Sequence, residues 1–428
     1  MDYFRGLIGV AILIGIAWAF SINRKSVNWR LVGGGLVIHL LLGLLIIKVQ
    51  IISTVFSWLS GTFVKVLSFS EVGVGFILGK LAHNPDWGFI FAFHVLPSIV
   101  FFAALSGLLY HIGLLQLVVS FIARCFSKAM HLSGAESFSM AGNIFLGQTE
   151  APLLVKPFIP KMTQSELMCL MTGGMATISG SVFAGYVAFL GGDDIAERTR
   201  VATYLLSASF MNAPAAIIMA KILYPETEGH LVEQKIEVKD DNRAANFIDA
   251  IARGTGDGIN MVLKIGGMLL VFISLIAMLN YFLEFLGGFT GVNEMVASMT
   301  GGVYQSLSME FLLGQCFRLV AVVIGVSWED SLQVGSLLGQ KLVLNEFIAY
   351  TSLAEIKANL AMSDRSIIIS TYALCGFANF GSIAIQIGGI GSLVPEQQKN
   401  LSKLGFRALT AATLATLVTA NTAGLLLG

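Results

Sequence analysis

The chain has 428 residues, of which 55% are apolar and only 12% charged, with 26 basic residues balancing 26 acidic ones. A soluble domain carries about 25% charge, so the composition excludes a soluble enzyme, and the missing basic surplus excludes a nucleic-acid binder. Cys125, Cys169, Cys316 and Cys375 are scattered without CxxC spacing, which excludes a disulfide scaffold and leaves an all-α polytopic membrane protein.

A helix needs about 20 apolar residues to cross the hydrocarbon core. Such runs occupy residues 6–22, 31–50, 89–120, 165–190, 201–223, 260–287, 366–392 and 405–427. The first lacks a basic n-region and a small-residue cleavage site, so it reads as a retained span. Two further apolar stretches, 139–160 and 325–355, are interrupted by charge or proline and read as re-entrant hairpins. Lys and Arg in short loops favour the cytoplasm. Arg24, Lys25 and Arg30, then Arg124, Lys128, Lys156 and Lys161, then Lys399, Lys403 and Arg407 all fall on one face if the hairpins enter and leave on one side. The expectation is eight crossings, two re-entrant hairpins and both termini outside.

Residues 225–258 hold 12 of the 52 charges and read as a cytoplasmic linker ending in a short amphipathic helix near Asn246–Arg253. The linker divides the chain. N-terminal spans over residues 1–120, mainly scaffold, precede a first repeat over 121–224, and a second repeat fills 259–428. Each repeat has a hairpin, a span broken by small polar residues (GGMATISGSVFAGY, 173–186; ALCGFANFGSIAI, 373–385) and an ordinary span. Paired broken segments point to a transporter site at the interface of inverted repeats.

An ionisable side chain at membrane depth costs roughly 2.5–3.5 kcal/mol on insertion scales and so implies a purpose. Glu150 and Glu346 lie mid-hairpin, beside Gln148 and Thr149 in one case and Asn345 in the other. The broken spans add Thr177, Ser179 and Ser181, then Asn379 and Ser382. An Asn flanked by Phe377, Ala378 and Phe380 is costly without a partner for its amide. The six histidines have no metal-ligand spacing; His94, beside Pro97, reads as a packing residue before a proton relay. GVGFILGK (73–80) lacks the spacing of a phosphate loop. Gly254-Thr255-Gly256-Asp257 has the form of a GxGD protease signature without the second membrane aspartate that such chemistry needs. A channel would want a continuous polar stripe along several spans, whereas here the polar residues collect in two hairpins and two breaks.

With these residues in hand, the chain resembles the concentrative nucleoside transporter family along nearly its whole length. GQKLVLNEFIAY fits the family pattern G-x-K-x-x-x-N-E-F-V-A-Y with Ile348 in place of valine, and NIFLGQTEAPLLVKPFIPKMTQSEL, SFMNAPAAIIMAKILYPETE and ALCGFANFGSIAI are similar to family segments. The resemblance implies a homotrimer in the bacterial inner membrane and cotransport of a nucleoside with Na⁺ or H⁺, without an organic cofactor. A modified nucleoside or a nucleobase is the alternative ligand. It implies that Gln148, Thr149 and Glu150 form the nucleobase side of the pocket. Glu346, Asn379 and Ser382 form the ribose side, with Val182 and Phe377 as apolar walls. It further implies a sodium site at the side chains of Asn143, Thr149 and Thr177 and the carbonyls of Leu146 and Ile178. Two departures stand out: Phe380-Gly381, expected to reshape the ribose pocket, and the long loop GGDDIAERTR (191–200), which has no assigned role.

Overall fold

A computed structural model describes residues 2–79, 90–192, 194–229 and 244–427; most of the linker, His83, Asp193 and His230 lie outside these residues. Among the described residues all regular structure is helical, with no strand. In chain order the helices are α1 (Asp2–Ala19), α2 (Trp29–Lys48), α3 (Gln50–Leu78), α4 (Phe91–His94), α5 (Leu96–His111), α6 (Leu114–Met130) and α7 (Gly134–Asn143). They continue with α8 (Ala151–Leu154), α9 (Gln164–Ala176), α10 (Gly180–Gly191), α11 (Ile195–Leu223), α12 (Phe247–Thr290) and α13 (Val292–Met299). The rest are α14 (Met309–Val323), α15 (Ser331–Val343), α16 (Glu346–Ala358), α17 (Asp364–Leu374), α18 (Phe380–Leu393) and α19 (Gln398–Leu427). Among the described residues, seven helical stretches are long and apolar enough to cross a membrane; α1 and α18 are apolar but shorter.

Helix α11 is the reference axis. The first hairpin, α7 and α8, has its mouth at the C-terminal end of α11. Glu136 in the first turn of α7 pairs with Lys221, and Thr163, just past the second arm, donates to Glu226 at 2.7 Å. Capping boxes at Ser133/Glu136 and Thr163/Glu166 start α7 and α9 there, satisfying helix N-terminal amides that would otherwise be buried without partners. The second hairpin, α15 and α16, has its mouth at the other end of α11. Lys357 bonds Glu197 at 2.5 Å, and Asp330 accepts from Ser363 at 2.6 Å. The two hairpins therefore point oppositely along one helix, which is the inverted arrangement expected from the sequence.

Both broken spans break where a polar N-cap replaces a helical turn. Ser179 caps α10 and Asn379 caps α18, each with its side chain bonded to an amide three residues on. The breaks cross each other: the Phe377 amide donates to the Thr177 carbonyl at 3.3 Å. Gly376 has φ +147 and sits so close that a Cβ there would lie 2.7 Å from the Ala176 carbonyl oxygen.

Two sequence expectations change. The sequence reading placed no element over 50–78, yet α3 fills it. Phe56 of α3 meets Phe210 edge to face, while Glu71 pairs with Arg198, so α3 climbs toward the N-terminal end of α11 in the direction that α2 had already taken. It adds length without a reversal. The short amphipathic helix near Asn246–Arg253 is the first two turns of the 44-residue α12, capped by Asn246 and unbroken until Gly291 at φ +72. The first GxGD glycine is a packing residue: a Cβ on Gly254 would lie 2.6 Å from the Ala103 carbonyl oxygen of α5, so it lets α12 and α5 approach closely, whereas Gly256 faces open space.

Candidate functional site

The two hairpin tips and the two breaks meet near the middle of the fold, and a chain of hydrogen bonds joins them. Gln148 Nε2 at the first tip donates to Ser382 Oγ at 3.2 Å, and the Ser382 amide donates to Asn379 Oδ1 at 2.8 Å. Asn379 Nδ2 donates to Glu346 Oε2 at 2.9 Å, and Tyr186 donates its hydroxyl to Glu346 Oε1 at 2.9 Å. Each member is nearly buried. Glu346 sits in this position because Asn345 caps α16, which puts the carboxylate in the first turn facing the α18 cap. Its two donors compensate part of the cost of burying a charge.

Gln148 Oε1 is buried and accepts nothing among the described residues. Beside it, Gln386 of α18 donates to the Met171 carbonyl at 3.0 Å and leaves its own buried Oε1 without a donor. Both glutamines crowd the face of Gly174, where a Cβ would lie 2.5 Å from Gln386 Nε2 and 3.0 Å from Gln148 Cβ. Two amide oxygens without donors can receive N–H groups of a planar ligand. Val182 and Phe377 are buried beside the breaks, one in the first turn of α10 and the other between Gly376 and the α18 cap.

The triad Gln148, Thr149 and Glu150 is not one surface. Thr149 packs its methyl toward Gly389 of α18, where a Cβ would lie 3.1 Å away. Glu150 turns back and accepts from the Gly147 amide at 3.2 Å, and its other side lines a cavity of about 580 Å³. That cavity runs from the first tip toward Lys156, Arg253 and Asp257, on the side of the linker. Gln148 faces the chain to Glu346, and Glu150 faces the cavity.

Of the cation ligands that the resemblance implies, Asn143 and Thr177 both lie against Gly173. Asn143, the last residue of α7, is 1% exposed, and neither its amide oxygen nor its amide nitrogen has a partner among the described residues. The carbonyls of Leu146 and Ile178 accept no hydrogen bond among the described residues. Thr177 donates its hydroxyl to the Gly173 carbonyl at 2.8 Å, leaving its lone pairs available. A buried amide oxygen and bare carbonyls are the donor set a hard monovalent cation takes.

Sequence reasoning missed Tyr186, Gln386 and Asn212. Asn212 donates to the Ala176 and Cys375 carbonyls at 2.8 Å each, so one amide holds the ends of both broken helices. The one available signal was a lone polar residue in an apolar helix, which is also the signal of ordinary helix packing. Phe380 does not reshape the pocket: it is 44% exposed and turns its ring to Phe406. The stretch 191–200 is not a long loop: residues 195–200 are the first turns of α11, where Glu197 pairs with Arg200 and with Lys357 of the second hairpin. His39 is a packing histidine, buried between the Met211 carbonyl and Thr422.

The family models described as Na⁺ dependent nucleoside transporter C-terminus and N-terminus match residues 204–424 and 8–81, and one described as nucleoside recognition matches residues 92–193. The chain is 36% identical to the nucleoside permease NupC of Helicobacter pylori, covering 99% of this chain and 97% of that one. It is 37% identical to sodium/nucleoside cotransporter 1 of Mus musculus, covering 98% of this chain and 63% of the longer mouse protein. A solved structure of CNTnw in an inward-facing substrate-bound state is 39% identical and superposes with a TM-score of 0.90 over 100% of both chains.

Proposed function

The chain belongs to the concentrative nucleoside transporter family, and from that premise we propose that it imports nucleosides across the bacterial inner membrane by symport with Na⁺. The observation that carries this reading is the continuous chain Gln148–Ser382–Asn379–Glu346 between the hairpin tips. A nucleoside has a planar base edge and a ribose bearing hydroxyl donors. Glu346 accepts from the ribose hydroxyls, and Asn379 both donates and accepts beside it. Gln148 and Gln386 read the base edge with their free amide oxygens, against the apolar walls of Phe377 and Val182. Binding replaces the protein's internal hydrogen bonds with bonds to ligand, so a filled site keeps every buried polar group paired.

Na⁺ at Asn143, Thr149, Thr177 and the carbonyls of Leu146 and Ile178 would fix the first hairpin tip against the α9–α10 break. The tip that carries Gln148 is then ordered when the cation is present, which couples the two bindings. The cavity on the linker side, lined by Glu150, provides the inward route. The protein works as a homotrimer, as the family resemblance implies, and the exposed apolar length of α12 supplies surface for lipid and for neighbouring subunits.

The testing experiment is uptake of a radiolabelled nucleoside panel into proteoliposomes with and without a Na⁺ gradient. Uptake driven by a pH gradient in Na⁺-free buffer would replace Na⁺ with a proton and make Glu150 the first carrier to examine. Asn143→Ala and Thr177→Val should each raise the Na⁺ concentration for half-maximal uptake, with less effect at saturating Na⁺. Unchanged Na⁺ dependence in both variants would remove the cation site from these residues.

Gln148→Ala should weaken preferred nucleosides more than poor ones, because it strips a directional contact from the base while leaving Glu346 in place. Competition with uridine, cytidine, adenosine and inosine reads this. Equal weakening of all four would make Gln148 a support for the hairpin and not a reader of the base.

A further inference from the structure

The second repeat contains a buried cation of its own. Lys341 lies in the last turn of α15 and is 3% exposed. Its ammonium donates to the Ala373 carbonyl at 2.8 Å and to Thr416 Oγ1 at 3.2 Å. No carboxylate pairs with it among the described residues, although Glu346 follows five positions later. A buried lysine without an ion pair needs another reason to be charged, and here its neighbours are oxygens.

The placement repeats that of the first half. Asn143 ends the first arm of its hairpin and faces the last turn of α9, close enough that a Cβ on Gly173 would lie 3.1 Å from its Nδ2. Lys341 sits in the last turn of the first arm of its hairpin and bonds the last turn of α17. Both turns precede a break, so both present carbonyl oxygens at a helix C-terminus, where the helix dipole favours positive charge. In the first repeat those oxygens face a neutral amide, and in the second they face an ammonium carried by the chain. The long helix that follows each broken span also reaches its hairpin: α11 gives Ser209, donating to the Ile144 carbonyl at 3.0 Å, and α19 gives Thr416, accepting from Lys341 at 3.2 Å.

We propose that Lys341 is a tethered cation, filling in the second repeat the place that an exchangeable monovalent cation takes in the first. This rests on the cation site of the proposed function for its comparison but not for its test. The first break is then ordered only when an ion arrives, whereas the second is held by an ammonium that the chain itself carries. Ion binding thereby acts on one hairpin alone, and Glu346 lies five positions along the chain from the tethered ammonium.

The test uses the purified full-length chain in detergent, melted in Na⁺-free choline buffer. Lys341→Ala opens a cation-sized space, so methylammonium should raise its melting temperature in a concentration-dependent way, and the wild type should not respond. The response should persist in the double variant Asn143→Ala/Lys341→Ala, because it belongs to the second repeat. Lys341→Met keeps the volume of the arm without charge; it should fold, lose most concentrative uptake and show no amine response. Wild-type uptake by Lys341→Met, or a Lys341→Ala melt that methylammonium does not move, would overturn the proposal. If Lys341→Ala does not fold, uptake by Lys341→Met decides the matter. A wild-type Na⁺ response that Asn143→Ala leaves unchanged counts against the first-repeat site alone.

Discussion

Glu346→Ala should abolish concentrative nucleoside uptake while the protein remains folded and elutes as wild type. Charge-assisted hydrogen bonds are worth about 1.5–3 kcal/mol each, and the carboxylate offers ribose two oxygens that now hold Tyr186 and Asn379. Losing two such bonds lowers affinity by about 10²-fold or more, since every 1.4 kcal/mol is tenfold. The alanine variant also leaves the Tyr186 hydroxyl and the Asn379 amide buried without their acceptor, which adds a penalty that no ligand contact recovers. Glu346→Gln keeps the shape and one acceptor, so its loss should be smaller than that of alanine. In the parent protein, 2′-deoxynucleosides should bind more weakly than ribonucleosides for the same reason. Substrate binding by calorimetry and uptake in proteoliposomes measure both; an alanine variant that transports normally takes Glu346 out of the site.

Lys221→Met should be the most destabilising single change outside the pocket. Lys221 is 8% exposed, pairs with Glu136, which is 3% exposed, and donates to Ser165 Oγ at 2.9 Å. Glu166 and Glu226 lie at the same place, so the lysine balances a group of carboxylates at the mouth of the first hairpin. Removing one partner of a buried pair costs about 3–5 kcal/mol, because the other charge stays buried and alone. A whole protein is stabilised by roughly 5–15 kcal/mol, so this is a large share. Lys221→Met/Glu136→Met should recover much of the loss, since replacing both partners by apolar groups removes the uncompensated charge. Melting temperatures of the single and double variants check this. A double variant no more stable than Lys221→Met would mean that the pair is not what the lysine stabilises.

The legible parts of the protein were those written in local pattern. The apolar runs at 201–223 and 405–427 became α11 and α19, because some twenty apolar residues in succession form a helix whatever surrounds them. The hairpins were legible as apolar runs interrupted by charge, and Asn379 as an amide too costly to bury without a partner. Helix α3 was missed because Lys65 and Glu71 broke its apolar run, and Glu71 is held by Arg198, which lies 127 positions away. The boundary of α12 was misplaced because the change from charged to apolar residues at 258–260 is not a change of structure. A helix stops at a breaker or a cap, and none occurs until Gly291.

By itself the sequence determined the class, the two oppositely placed hairpins and the polar residues a membrane would not carry without purpose. Only the tertiary structure decided how those residues combine. Gln148 meets Ser382 across 234 positions and Glu346 meets Tyr186 across 160. Tyr186 and Gln386 therefore entered the site, and Glu150 turned away from its neighbour Gln148 toward the cavity. Periodicity and composition are properties of a window of residues, so they place helices and flag costly side chains. A binding site is made where segments distant in sequence leave complementary donors and acceptors facing one another, and those pairings are set by packing around α11 and the crossing of the two breaks.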